Sequence, residues 1–113
     1  MKNLFVTFEQ ALELKELGFN EECLGLYHSD GELVIKKTKS QEQYHGQICT
    51  APLRQQALSF IRNKYHVEFA VAKIHNESND YHFHIDYEWY FSESTYEETE
   101  NACLNKLIEL IKK

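Results

Sequence analysis

Two imidazoles and a carboxylate stand at alternate positions in His82-Phe83-His84-Ile85-Asp86. On an extended strand, alternate residues share one face and lie about 7 Å apart. Imidazole and carboxylate are ligands for zinc, manganese or iron, so a small metal-dependent enzyme built on His82, His84 and Asp86 is one reading. Three neighbours along a single strand do not close a tetrahedral shell unless further ligands arrive from elsewhere. Polar residues at every second position also predict nothing more than a solvated sheet face. The second account is preferred, and no cofactor is expected.

Other chemistry finds less support. The chain has no G-x-S-x-G elbow and no glycine-rich phosphate loop. Cys23, Cys49 and Cys103 are odd in number and lack CxxC spacing, so neither a disulfide framework nor a zinc knot is indicated. Buried free thiols in a reducing cytoplasm are the expectation. Cys49 precedes a predicted helix, where an exposed thiol would be acidified; a packing role is preferred. His28, His45, His66 and His75 fall in predicted loops or element ends and read as surface residues.

Charged residues inside apolar helical arcs are the sharper anomaly. At about 100° per residue, Leu53, Ala57, Leu58, Phe60, Ile61 and Tyr65 form one arc, and Arg54 falls within it. Tyr96, Cys103, Leu104, Leu107 and Ile111 form another, centred on Glu100. Lys15 lies among Phe8, Ala11, Leu12 and Leu14; there the stem packs while the head reaches water. A buried charge is costly unless paired. Arg54 and Glu100 are therefore candidates for a buried ion pair or a binding surface, together with the adjacent Gln55 and Gln56. The expected carboxylate for Arg54 is Glu100 first and Glu9 second.

The elements that would position these residues follow from local signals. Thr7-Phe8-Glu9-Gln10 is a capping box, and Gly18 is a left-handed stop. Segments 24–27 and 33–36 read as strands around Ser29-Asp30-Gly31. Residues 37–47 are polar and read as a loop. Thr50 is expected to cap the second helix, with Pro52 in its first turn. Segments 67–74 and 81–91 read as a strand pair joined by the polar turn 76–80. In 81–91, Tyr81, Phe83, Ile85, Tyr87, Trp89 and Phe91 alternate with His82, His84, Asp86, Glu88 and Tyr90. Phe83, Ile85 and Tyr87 are thus expected under helices, with His82 and His84 accessible. Thr95-Tyr96-Glu97-Glu98 opens the last helix.

Composition bounds the rest. The chain has 113 residues, one Pro, four Gly and fifteen aromatic residues (seven Tyr, seven Phe and one Trp). That length fits one domain, residues 1–113. The net charge of −6 argues against direct nucleic-acid binding or an anionic membrane surface, which need basic patches. An acidic nucleic-acid mimic stays open, although Glu93, Glu97, Glu98 and Glu100 are mostly explained by the dipole of the last helix. There is no signal-like apolar region and no run of transmembrane length, so a cytoplasmic location is expected.

Three segments together carry a resemblance. They are Phe8-Glu9-Gln10-Ala11 with Leu14-Lys15-Glu16, Gly18-Phe19 and Glu21-Glu22-Cys23; Ala51-Pro52-Leu53-Arg54-Gln55-Gln56-Ala57 with Arg62 and Lys64-Tyr65; and Thr95-Tyr96-Glu97-Glu98 with Glu100 and Ala102-Cys103-Leu104. In these the chain resembles a group of small uncharacterised proteins from Bacteroidetes and their phages or prophages. Such proteins commonly carry an aromatic, often Trp, at the position of Phe60 and Ala at that of Thr99. The resemblance covers the helices and little of the strands. It implies a phage or mobile-element accessory protein and transfers no catalytic assignment.

The expected fold is α+β, a mostly antiparallel four-stranded sheet with three helices on one face, in the order αββ-αββ-α. The expected function is a non-catalytic protein-interaction module acting on a protein partner or on its own copy. An enzyme is the less favoured reading.

Overall fold

The structure is a computed structural model and describes residues 4–38, 48–73, 81–92 and 95–113. The expected turn 76–80 and residues 39–47 of the expected loop lie outside these. The described chain contains three helices and six strands, and the strands form two three-stranded antiparallel sheets rather than one sheet of four. It divides into two compact units, Met1–Ala57 and Leu58–Lys113.

The first unit opens with α1 (Phe8–Glu16). Thr7 caps it as its sequence indicates. The Thr7 hydroxyl accepts from the Gln10 amide at 3.1 Å, and the Gln10 side chain accepts from the Thr7 amide at 2.9 Å. The helix stops at Gly18, whose φ of 92° only glycine adopts without strain. The Phe19 amide bonds the Leu14 carbonyl at 2.9 Å, closing the last turn. β1 (Cys23–His28) then pairs with β2 (Leu33–Thr38) and with β3 (Ile48–Ala51), giving the order β2-β1-β3. Gly25 lies beneath Phe5. A Cβ there would stand 2.9 Å from the Phe5 ring, so glycine permits the close approach. The Tyr27 hydroxyl donates to the Val6 carbonyl at 2.6 Å, and α1 packs on β3.

β3 corrects the expected start of the second helix. Thr50 is not its cap. It is fully buried in a strand, opposite Leu26 of β1. The helix α2 begins only at Arg54, beyond Pro52, and runs to Tyr65. Leu53 is instead held in an isolated bridge to Phe5. Pairing with β1 outcompetes the local capping signal at Thr50, as tertiary context often does. The boundary between the units falls within α2, between Ala57 and Leu58.

The second unit contains β4 (Phe69–Lys73), β5 (Tyr81–Ile85), β6 (Glu88–Ser92) and α3 (Tyr96–Ile111). The sheet order is β4-β5-β6, and α3 packs on β5 and β4. Among the described residues of this unit, Leu58, Ile61, Phe69, Phe83, Ile85, Cys103, Leu104, Leu107 and Ile108 are the buried apolar ones. Thr95 caps α3, its hydroxyl accepting from the Glu98 amide.

The single strand expected over 81–91 is a hairpin. Ile85 pairs with Glu88 across the two-residue turn Asp86-Tyr87. Asp86 takes φ 54°, a positive value that favours Gly, Asn or Asp at the first central position of such a turn. Its amide bonds the Glu68 carbonyl at 2.6 Å and its carboxylate accepts from the Glu68 amide at 3.2 Å. Residues paired across a ladder share a face, so the turn inverts the facing of everything after it. Glu88 and Tyr90 join Ile85 and Phe83, and Trp89 joins His84.

Candidate functional site

The expected site residues lie on α2, on α3 and on β5 with the turn after it. Arg54 opens α2 and belongs to the first unit; Glu100 lies in the first turns of α3 and belongs to the second. Both are buried, at 5% and 4% exposure, as their helical arcs require. Gln56 is half-buried and ties α2 to the segment before β1, donating to the Glu22 carbonyl at 2.7 Å and the Glu21 carboxylate at 3.4 Å. Gln55 is exposed.

His82, His84 and Asp86 each have other contacts. Both imidazoles lie against the indole of Trp89, with ring centroids 4.8 Å away in each case and interplanar angles of 63° and 52°. Asp86 sits in the turn, with one carboxylate oxygen accepting from the Glu68 amide. Among the described residues no group of three or more His, Cys, Asp or Glu is placed to hold a metal ion.

What this unit presents is an aromatic surface. Ala70 and Ala72 of β4 pair with His84 and His82 and lie exposed on the same face. Trp89 stands above this floor at 57% exposure, clasped by the two half-buried imidazoles. The neighbouring turn carries Tyr87 at 97% exposure, against its expected burial. The opposite face of the sheet is the packed one: Phe83 is buried, and its ring stacks on Tyr90 at 4.9 Å and 15°.

At the turn end lies a cleft of about 330 Å³ lined by Ile85, Asp86, Tyr87, Glu88, Tyr90 and Leu110. The Tyr90 hydroxyl donates to the Glu88 carboxylate at 3.1 Å. Desolvation and this carboxylate hold the Tyr90 phenol above its ordinary pKa, while Lys106 pulls the other way. The Lys106 ammonium stands 5.5 Å from the Tyr90 ring centroid and 3.4 Å from Glu109.

No family model, curated protein or solved structure matches this chain. Function is therefore read from its own surfaces. Elsewhere in the second unit, the Arg62 guanidinium lies 4.3 Å from the Phe69 ring centroid and donates to the Phe69 carbonyl at 3.4 Å. These contacts bridge the end of α2 to β4. Burial, and then the charge of Glu100, push the Cys103 thiol up to about 12, with Arg62 opposing. A thiol so held is not a nucleophile at neutral pH. No helix among the described residues is long and apolar enough to cross a membrane.

The exposed Trp89, Tyr87 and the cleft residues Glu88 and Tyr90 were not singled out by sequence reasoning. The signal that could have found them is Asp86. It tolerates positive φ, and a two-residue turn begun there places Trp89 on the polar face.

Proposed function

We propose that this chain is a non-catalytic protein-interaction module, and that the open face of the β4-β5-β6 sheet is its docking surface. The observation that carries the reading is Trp89. A large indole is held in water on a rigid sheet, oriented by two imidazole rings and bordered by exposed alanines. Tryptophan is the residue type most enriched at interface hot spots, and it loses little side-chain entropy when a partner covers it. The module would serve as a phage or mobile-element accessory protein, the role that its helical segments suggest by resemblance. The partner is another protein rather than nucleic acid, since the chain carries a net charge of −6.

The test compares the chain with Trp89→Ala in pull-downs from host lysate, after circular dichroism shows both folded. A protein captured by the parent chain and lost with Trp89→Ala supports the reading. Addition of that protein should also shift the emission of the single tryptophan to the blue as water leaves the indole. Capture that survives Trp89→Ala unchanged removes this face as the docking surface.

A further inference from the structure

The cleft at the turn end of this sheet, on the face opposite Trp89, has the chemistry of a cation site. Ile85 and Leu110 supply apolar lining, Tyr87 and Tyr90 supply aromatic rings, and Asp86 and Glu88 supply carboxylates. Its volume, about 330 Å³, falls at the small end of the roughly 300–1,000 Å³ typical of ligand sites. Apolar walls alone would accept many occupants, whereas two carboxylates on the rim select against anions and leave neutral groups without a charge partner. Aromatic faces attract cations through the ring quadrupole.

Two features show that the site is built rather than incidental. The Tyr90 ring is fixed on one side by stacking on Phe83, and its hydroxyl donates to Glu88, which orients that carboxylate. The Lys106 ammonium of the same chain also stands beside this ring, so the aromatic face open to a guest is that of the exposed Tyr87. Asp86 is anchored by the Glu68 amide through one oxygen, and an ionised carboxylate has about four acceptor sites in all. Both carboxylates therefore keep capacity for a donor from outside.

We propose that this cleft receives the side chain of an arginine from a basic segment of the protein partner. The inference rests on the interaction-module reading and names the partner's chemistry. Arginine is favoured over lysine because a planar guanidinium can lie on a tyrosine ring and fork to a carboxylate at once. The acidic balance of the whole chain, −6, would steer a basic segment toward it. Tyr87, which projects almost wholly into water, would close over the bound guanidinium.

The experiment is a titration of the ¹⁵N-labelled chain with N-acetyl-arginine methylamide, and in parallel with the lysine and citrulline analogues. Citrulline keeps the shape of arginine and removes the charge. The expected result is a saturable shift of the Asp86, Tyr87 and Glu88 amides with arginine, about threefold weaker with lysine and about tenfold weaker with citrulline. Glu88→Gln and Tyr87→Ala change exposed residues and should keep dispersed spectra while weakening arginine binding about threefold or more. Trp89→Ala should leave the arginine titration unchanged. Equal responses to arginine and citrulline, or no saturable shift by about 100 mM, overturn the cleft assignment. If that happens while Trp89-dependent capture persists, the interaction reading stands and only the cleft falls. If arginine saturates the cleft but no capture depends on Trp89, the sheet face falls instead.

Discussion

Truncating Phe83 tests which face of the second sheet is packed. The ring is 5% exposed, lies on the strand that α3 covers, and stacks on Tyr90 at 4.9 Å. A buried Phe→Ala change costs about 3–5 kcal/mol, a range that already contains the loss of ring contacts such as this stack. A cost of about 4 kcal/mol is therefore expected for Phe83→Ala. With a urea slope of about 2 kcal/mol per molar, the midpoint should fall by about 2 M. Trp89 is the single tryptophan and sits on the same sheet, so its fluorescence follows this unit directly. The comparison variant is His82→Ala. Its ring is half-buried against Trp89 on the open face, and the expected loss is under about 1 kcal/mol. A midpoint lowered less by Phe83→Ala than by His82→Ala would refute the facing assigned to β5.

Three further outcomes follow from individual residues. Gly25→Ala should destabilise the first unit by about 1–3 kcal/mol, because the new methyl would meet the buried Phe5 ring at 2.9 Å; adding Phe5→Leu should recover part of the loss in urea midpoints. Cys103 should resist iodoacetamide in the native chain at pH 8, read by peptide mass mapping. Its folded pKa is raised from 9.0 to about 12, so above pH 9 the unfolded chain gives up a proton that the folded chain keeps. Stability should fall as pH rises from 9 towards 12, and less steeply in Cys103→Ala. Arg54→Ala and Glu100→Ala should each cost about 3–5 kcal/mol, the loss typical when one member of a buried charged contact is removed. Both side chains are buried and neither is free of interactions. A loss below about 1 kcal/mol in thermal or urea unfolding would mean that their heads reach water.

Helix ends and helix faces were legible in the sequence because their signals are local. Thr7 with Gln10, Gly18, and Thr95 with Glu98 act within one turn, and the structure uses each of them. The burial of Arg54 and Glu100 was equally legible, since a period of 3.6 residues puts them among apolar neighbours whatever packs outside. What failed depended on pairing with distant strands. Thr50 followed by Pro52 reads as a helix start, yet Thr50 answers to Leu26, 24 positions away. Asp86-Tyr87 lacks the glycine of the strongest hairpin signals, and apolar–polar alternation runs through it without interruption. The turn is held by Glu68, which no window around residue 86 contains. That one omission moved Trp89 from a supposed core to the surface and hid the candidate site.

The two-residue turn at Asp86-Tyr87 makes this half of the molecule sensitive to parity. Substitutions in β6 change one contact each, whereas inserting or deleting one residue at the turn would exchange the two sets of side chains along the whole strand. Trp89 would be driven towards α3, and Tyr90 and Glu88 would be turned out into water. The proposed docking face and the cleft would vanish together, with every residue that forms them still present. The turn's length therefore carries information that composition does not, and homologues that keep this surface should vary in sequence there long before they vary in length.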